Sequence, residues 1–256
     1  MDDRLPTTHD EYTIDIELAG LTRSFGEHRA LDGVSLSIAA GECVAVVGES
    51  GSGKTTMLRC INRLIDPDSG SVSINGRDIR ETDLVELRRS LGYVQQDGGL
   101  MPHWRVLRNV SLVPWLSSMT DADERALAAL RVVGFNPSEV ASRWPHELSG
   151  GQRQRVAMAR ALAAGQSCLL LDEPFGALDA ITRAELQNAF VKIRAQSGFT
   201  AILVTHDLRE AMALGDRIAV MHNGKIEQVA SPDDLRSHPS TDYVRKLLDY
   251  ATGGTQ

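Results

Sequence analysis

Long hydrophobic runs are absent from this sequence of 256 residues. Its longest apolar stretches, such as Cys43–Val47 and Cys168–Leu171, are only a few residues long, whereas a helix that spans a membrane needs about 20 apolar residues. The first residues, MDDRLPTTHDEYT, are polar and acidic, which is not the pattern of a secretion signal. We therefore expect an intracellular protein that acts at a membrane only through a partner.

Cysteine pairs and an excess of basic residues are also lacking. The sequence has three cysteines, Cys43, Cys60 and Cys168, and no two of them have the spacing of metal ligands. We therefore predict that they are small buried side chains of a protein in a reducing compartment. The 27 Lys and Arg residues against 34 Asp and Glu give a net charge of −7, which argues against a nucleic-acid partner. Apolar residues make up 42% of the chain, which is too many for a disordered protein.

Short apolar runs separated by turn signals predict β-strands. Two asparagine–glycine pairs, Asn75-Gly76 and Asn223-Gly224, lie between such runs, and this pair is a strong signal for a β-hairpin. Three further runs are apolar throughout and predict buried parallel strands: Cys43–Val47, Cys168–Leu171 and Ala201–Val204. Because helical patterns follow these runs, the order of elements predicts an α/β fold with a mostly parallel sheet.

Capping signals predict where two helices begin. Thr182-x-x-Glu185 and Thr120-x-x-Asp123 both have the spacing of a capping box, and Gly198 marks the predicted end of the first helix. The apolar positions on the two helices are Leu186, Phe190 and Ile193, and then Leu127 and Leu130.

We expect one domain over residues 16–250, with a helical subdomain inserted at about residues 97–160, since that stretch lacks strand patterns. Residues 1–15 are predicted to be a flexible tail and residues 251–256 a frayed end.

The strongest functional signal is a glycine-rich segment directly after the strand predicted at Cys43–Val47. It fits the pattern G-x-x-x-x-G-K-[ST], and its residues, with the threonine that follows, are Gly48, Glu49, Ser50, Gly51, Ser52, Gly53, Lys54, Thr55 and Thr56. Glycines let the backbone curl so that amide groups point at phosphates, and a helix N-terminus adds positive potential. Lys54 would reach the β- and γ-phosphates, and the Thr55 hydroxyl would bind Mg²⁺. The apolar face of the helix that follows is predicted at Leu58, Ile61 and Ile65.

Two adjacent acids follow the buried strand predicted at Cys168–Leu171. Ligands of open α/β folds bind where the strands end, so Asp172 would hold Mg²⁺ through water and Glu173 would polarise the attacking water. Two acids at a strand end are often only a solvated loop. The phosphate loop upstream favours the catalytic interpretation.

The segment Leu148-Ser149-Gly150-Gly151-Gln152 lies between these two motifs. Ser149 is predicted to cap a helix whose first amides face outward, and the glycines allow an anion to approach closely. This LSGGQ segment resembles the signature of the ATP-binding-cassette family. The sequence as a whole resembles that family over about residues 16–248. The resemblance implies a P-loop NTPase core with a mixed sheet, an N-terminal antiparallel β part and an inserted helical subdomain. It also implies that two copies sandwich two ATP molecules, each between one phosphate loop and the other copy's signature.

The resemblance also implies roles for single residues. Phe25 matches an aromatic that stacks on adenine, with a core phenylalanine as the alternative. Gln96 matches a glutamine that touches Mg²⁺ and faces the membrane partner, although the adjacent Gln95 leaves a second register open. Asp179 matches a loop that crosses to the partner subunit, and His206 matches a histidine that contacts the γ-phosphate. The implied catalytic set is Lys54, Gln96, Glu173 and His206, and the implied metal set is Thr55, Gln96 and Asp172.

Several segments are similar to the ATPases of bacterial importers for osmoprotectants such as glycine betaine, carnitine and choline. These segments are GYV at 92–94, GLMPH at 99–103, WPHE at 144–147 and PFGALDAITR at 174–183. The likeness implies ATP and Mg²⁺ as cofactors, transmembrane permease subunits as partners, and indirectly a solute-binding protein. It would place the chain at the cytoplasmic face of the cell membrane.

Other functions stay open at this point. One alternative is an importer ATPase for sulfonate, nitrate or an amino acid, and another is an export or non-transport ATPase of the same family. A P-loop kinase for small molecules is disfavoured by the signature and by the acids at 172 and 173. Many betaine-type members carry C-terminal regulatory repeats, for which the residues after His206 leave no room, so we expect no such domain.

Overall fold

A computed structural model describes residues 13–252. Residues 1–12 and 253–256, which include most of the predicted tail and frayed end, lie outside the described residues. The strands of the described part are β1 (Ile16–Phe25), β2 (His28–Ile38), β3 (Cys43–Val47), β4 (Ser69–Ile74), β5 (Arg77–Asp78), β6 (Leu91–Val94), β7 (Cys168–Asp172), β8 (Thr200–Thr205), β9 (Arg217–His222) and β10 (Lys225–Ala230).

The helices of the same part are α1 (Lys54–Ile61), α2 (Leu84–Ser90), α3 (Val106–Val110), α4 (Leu112–Leu116), α5 (Ala122–Val132), α6 (Pro137–Val140), α7 (Gly150–Leu162), α8 (Ala180–Ser197), α9 (Leu208–Leu214), α10 (Pro232–Ser237) and α11 (Asp242–Thr252). Short 3-10 turns lie at Ile79–Glu81 and Pro145–Glu147.

The described residues form two compact units. We call residues 89–199 the central unit, and residues 13–88 with 200–252 the flanking unit.

The flanking unit contains an antiparallel sheet and strands of a mixed sheet. The antiparallel sheet has the order β2-β1-β4-β5. In the mixed sheet, β3 lies between β8 and β9 and is parallel to both, and β10 pairs antiparallel with β9. The expected α/β class with a mixed sheet and an N-terminal antiparallel part is therefore confirmed.

Both predicted hairpins form around their asparagine–glycine pairs. Ile74 pairs with Arg77, and His222 pairs with Lys225. Asn75 and Gly76 have φ of 51° and 74°, and Asn223 and Gly224 have φ of 47° and 76°. Two successive left-handed residues match the twist of the flanking strands, which is why this dipeptide specifies the turn.

The core of the flanking unit is built on the mixed sheet. Every residue of β3 is buried, as expected for a strand covered on both faces. A hydrophobic cluster joins this sheet to the C-terminal helices through Ala45, Val47, Leu208, Ala211, Ile218, Val220, Leu235, Val244 and Leu248. The cluster anchors α11 through Val244 and Leu248.

The central unit is mainly helical between residues 106 and 162. Helices α3, α5 and α7 pack against one another, and α7 also contacts β6. β6 and β7 form a parallel pair, in which Leu91 lies opposite Cys168 and Val94 lies opposite Leu171.

Both predicted capping boxes are wrong. Helix α8 begins earlier than predicted, because the Asp179 carboxylate already accepts a hydrogen bond from the Thr182 backbone N–H. Helix α5 begins after Asp121, so Thr120 lies outside it. The predicted stop at Gly198 is confirmed, with φ of 64° at that residue.

The predicted face of α1 is partly wrong. Leu58 and Ile61 are buried, but Ile65 lies beyond the helix, which ends at Ile61. Arg63 has a left-handed backbone with φ of 50°, and such a residue cannot continue a right-handed helix.

Among residues 13–252, no helix has both the length and the apolar character needed to span a membrane.

Candidate active site

The phosphate-loop residues connect β3 to α1 in the flanking unit. Gly51 and Gly53 have φ of 82° and 105°, which is left-handed backbone that favours glycine. A Cβ atom on Gly48 would collide with the Met221 carbonyl oxygen, and one on Gly53 would collide with the Ala30 carbonyl oxygen. The loop therefore needs glycine at both ends, because neighbouring backbone fills the space a side chain would take.

Lys54 lies inside this loop, with only 5% of the residue exposed. Its ammonium donates hydrogen bonds to the carbonyl oxygens of Gly48 and Glu49, both at 2.7 Å, and to Ser52 Oγ at 3.4 Å. A buried ammonium needs such oxygen partners. The loop thus holds a positive charge among oxygen acceptors at the N-terminal end of α1, where helix amides favour an anion.

The remaining loop residues differ in exposure. Glu49, Ser50 and Gly51 are exposed, Ser52 is buried, and Thr55 and Thr56 are half-buried in the first turn of α1.

A tyrosine of α11 also contacts the loop, and sequence reasoning missed it. The Glu49 backbone N–H donates to the Tyr243 hydroxyl at 3.3 Å. The Tyr243 ring stacks on the His222 ring, with centroids 3.9 Å apart, and burial raises the pKa of the Tyr243 phenol. Tyr243 follows Glu49 by 194 residues, so no local pattern could have indicated the contact.

Phe25 ends β1 and is 46% exposed. The alternative of a core phenylalanine is therefore wrong. The guanidinium carbon of Arg23 lies 5.0 Å from the centre of the Phe25 ring, and Arg23 is itself paired with Asp68 at 2.7 Å. One side of the ring is thus covered by a fixed cation.

His206 follows β8 and is exposed. The loop that carries it is ordered by its neighbours. Thr205 Oγ1 accepts from the Asp207 backbone N–H at 3.0 Å, and the Asp207 carboxylate caps α9 by accepting from the Arg209 N–H at 2.8 Å.

In the central unit, the two predicted acids lie at the end of β7. Asp172 is 2% exposed, and Glu173 is half-buried. Glu173 has a left-handed φ of 48°, which is uncommon for glutamate and is a form of strain that clusters at active sites.

Gln96, rather than Gln95, forms a hydrogen bond with Glu173. The Gln96 side-chain amide donates to Glu173 Oε2 at 3.3 Å. The backbone carbonyl of Gln95 instead accepts from the buried Gln154 amide at 3.4 Å. The geometry therefore favours Gln96 over Gln95.

The signature segment begins α7 in the same unit. Ser149 caps this helix as predicted, since its Oγ accepts from the Gln152 backbone N–H at 3.2 Å. In return, Gln152 Oε1 accepts from the Ser149 N–H at 3.0 Å. Ser149 and Gly150 are exposed, and Gly151 and Gln152 are half-buried, so the start of α7 faces solvent.

Asp179 is exposed and caps α8. Its Oδ1 accepts from the Thr182 backbone N–H at 3.0 Å, and this hydrogen bond is the main reason that the pKa of the Asp179 carboxyl lies below its usual value of 3.8. The sequence had predicted a contact with a partner for this residue and had not predicted the cap.

Comparison with known proteins identifies the family. The model of a family described as ABC transporter matches residues 31–176. This chain belongs to the ABC transporter family. It is 46% identical over 225 residues to the glycine betaine/carnitine/choline transport ATP-binding protein OpuCA of Bacillus subtilis, which covers 87% of the chain and 59% of OpuCA.

A second relative of this ABC family chain is the glycine betaine uptake system ATP-binding protein YehX of Escherichia coli. It is 42% identical over 235 residues, which cover 91% of the chain and 76% of YehX. The chain spans only 56–59% of the length of OpuCA-type relatives.

Solved structures of the family share the fold. The dimeric structure of a post-hydrolysis state of an ATP-binding cassette bound to ADP and Pi matches with a TM-score of 0.78 and 35% identity. The match covers 85% of this chain and 98% of that one.

Proposed function

We propose that this chain is the ATP-hydrolysing subunit of an importer for glycine betaine or a related quaternary amine. The observation that carries the proposal is the buried Lys54 ammonium, held within a glycine loop at the start of α1 by oxygen atoms at 2.7 Å. Phosphate oxygens are acceptors of the same kind, and their negative charge suits both the ammonium and the helix N-terminus.

The flanking unit binds the nucleotide in this proposal. The loop of residues 48–56 surrounds the phosphates, with Lys54 at the β- and γ-phosphates. The exposed Phe25 ring stacks on adenine on the side opposite Arg23. The exposed His206 contacts the γ-phosphate.

The donor set also fits Mg²⁺. No cluster of three or more His, Cys, Asp or Glu side chains within residues 13–252 could hold a metal ion. Magnesium in nucleotide sites is bound through one or two protein oxygens, with phosphates and water completing its shell. The Thr55 hydroxyl, the Gln96 amide oxygen and, through water, the Asp172 carboxylate are the groups that would hold it. When bound, the ion neutralises charge on the transferring phosphate.

The central unit provides the groups for hydrolysis. Glu173 accepts a proton from the attacking water, and Gln96, 3.3 Å from Glu173 Oε2, orients that carboxylate. Glu173 also has a left-handed backbone with φ of 48°, a form of strain that clusters at active sites.

A second copy of the chain completes each site. Ser149, Gly150, Gly151 and Gln152 begin a helix of 13 residues and contact the γ-phosphate bound by the other copy. Asp179 lies in the loop that reaches across. The dimeric cassettes among the similar structures support this arrangement.

Permease subunits are the membrane partners in this proposal, and a solute-binding protein acts indirectly. The chain would then work at the cytoplasmic face of the membrane. Hydrolysis of ATP to ADP and phosphate drives the permease through the surface near Gln96.

The names of the relatives support the substrate class. OpuCA and YehX are named for transport of glycine betaine, and so is ProV of Escherichia coli, at 46% identity. An Fe(3+) import ATP-binding protein, FbpC of Pseudomonas fluorescens, is 44% identical over 226 residues. Uptake measurements with both solutes distinguish the two classes.

The test is uptake of labelled glycine betaine at high osmolarity. Cells that carry the wild-type chain are compared with cells that carry only Glu173→Gln, and labelled iron(III) serves as the second solute. We expect the mutant to lose betaine uptake and to keep iron uptake. Unchanged betaine uptake would contradict the substrate class, and loss of iron uptake alone would favour the FbpC-like function.

A further inference from the structure

The loop after β6 is held by side chains of α7, the helix that begins with the signature. Arg160 donates one guanidinium N–H to the Gly99 carbonyl oxygen at 2.7 Å and another to the Gly98 carbonyl oxygen at 3.0 Å. The buried Gln154 amide donates to the Gln95 carbonyl oxygen at 3.4 Å. Side chains of one helix therefore donate hydrogen bonds to the loop on both sides of Gln96.

The Arg160 guanidinium is suited to this contact. Arg160 is half-buried, and burial lowers the pKa of its guanidinium from the usual value, while the charge of Asp97 acts in the opposite direction. A cation removed from water needs hydrogen-bond acceptors. Arginine supplies two separate nitrogens in a fixed planar fork, one bonded to Gly99 and the other to Gly98, whereas lysine carries a single nitrogen.

Gly98 and Gly99 give the loop a backbone conformation that other residues rarely adopt. Gly98 and Gly99 have left-handed φ of 80° and 54°. A Cβ atom on Gly99 would lie 2.6 Å from Gln95 Oε1. These carbonyls therefore point at Arg160 through a conformation that few other residues adopt.

The loop in turn sets the position of Gln96. This side chain is exposed, so packing does not fix it and its place depends on the backbone. Its amide lies 3.3 Å from Glu173 Oε2, which is near the outer limit for a hydrogen bond. A small outward shift of the loop would break the contact.

We propose that Arg160 is a positioning residue that fixes the loop of residues 95–99 and thereby holds Gln96 against Glu173. The inference rests on the proposed function, because Gln96 and Glu173 matter to rate only if this chain hydrolyses ATP. It assigns α7 a second role. Its N-terminus carries the signature, and its interior sets the hydrolytic groups of the same chain.

The test is a double-mutant cycle on the purified full chain, with kcat and KM for ATP as readouts. Arg160→Lys keeps the charge but leaves one nitrogen in place of the two that bond Gly98 and Gly99, and the loss of one charge-assisted hydrogen bond should lower kcat about tenfold. KM should stay unchanged, because the hydrogen bonds of Arg160 go to the backbone of Gly98 and Gly99. In a Gln96→Ala background, Arg160→Lys should lower kcat no further.

Arg155→Lys is the matched control. Arg155 lies on the same helix but pairs with Glu185 at 2.9 Å and has no bond to the loop, so kcat should stay near the wild-type value. Thermal melts of all variants report folding. If Arg160→Lys fails to fold, Gln154→Met replaces it in the same double-mutant cycle, because it removes the hydrogen bond to the Gln95 carbonyl. The expected loss of kcat is then smaller.

An equal loss of kcat with and without Gln96 would overturn the inference, as would a wild-type kcat in Arg160→Lys. A wild-type chain that releases no phosphate from ATP would instead refute the proposed function. The two failures are therefore distinguishable.

Discussion

Replacing Phe25 with alanine should weaken the binding of ATP but not of inorganic triphosphate. The ring is 46% exposed, and Arg23 covers one side at 5.0 Å, which leaves the opposite side for a base. Stacking of a base on an aromatic ring contributes about 1–3 kcal/mol. That range corresponds to an increase of about 5- to 150-fold in the Kd for ATP.

The measurement is displacement of a fluorescent ATP analogue, first by ATP and then by inorganic triphosphate, which lacks the base. Leu64→Ala is the matched control, since Leu64 is 47% exposed and lies in the same unit. Thermal melts should show little change for either variant, because neither side chain is in the core. Equal weakening of both ligands would refute the stacking role of Phe25, and so would an unchanged Kd for ATP.

Three further changes test other parts of the structure. Lys54→Ala removes the ammonium inside the phosphate loop, so ATP should no longer raise the melting temperature, and a retained rise would count against the loop as the phosphate site. Asp179→Ala should lower the melting temperature at neutral pH. The pKa of the Asp179 carboxyl is lowered from 3.8, so its stabilisation is present above that value and is lost as the pH falls through the lowered pKa. The difference from wild type should therefore shrink in acid, and a constant difference would contradict the cap. Burial raises the pKa of the Cys60 thiol to about 11 and that of the Cys168 thiol further, so a thiol reagent at neutral pH should label the folded chain far more slowly than the unfolded chain. Fast labelling of the folded chain would contradict this burial.

Features of the fold that depend on local chemistry could be predicted from the sequence. The turns at Asn75-Gly76 and Asn223-Gly224 need left-handed backbone at both positions, and few other dipeptides supply it. β3 was predicted with its observed bounds, because a short, fully apolar run rich in valine and followed by glycine is typical of a strand buried on both faces.

The starts of helices were predicted less well. Asp179 caps α8 by accepting from the Thr182 N–H. Thr182 therefore lies within the first turn of the helix and is not its cap. The spacing of a capping box shows that a cap is possible. It does not show which of two nearby candidate residues, here Asp179 and Thr182, is the cap.

The residues of the candidate site also fall into a group that could be predicted from the sequence and a group that could not. Motif residues such as Lys54 and Glu173 could be predicted, because their chemistry requires a fixed spacing. The groups that support them could not be predicted, because they come from distant segments. Tyr243 reaches the phosphate loop from α11, and Arg160 reaches the loop of Gln96 from α7. Nothing near either residue in sequence indicates its partner.

The most direct test of ATP hydrolysis by this chain is the behaviour of Glu173→Gln. Glutamine keeps the shape of the side chain but cannot accept the proton of the attacking water. The purified variant, mixed with Mg²⁺ and ATP, is passed through size exclusion with light scattering, and phosphate release is followed in parallel. We expect a dimer that retains intact ATP and releases phosphate at a small fraction of the wild-type rate. A variant that turns over ATP like the wild type would contradict the role of Glu173 in hydrolysis.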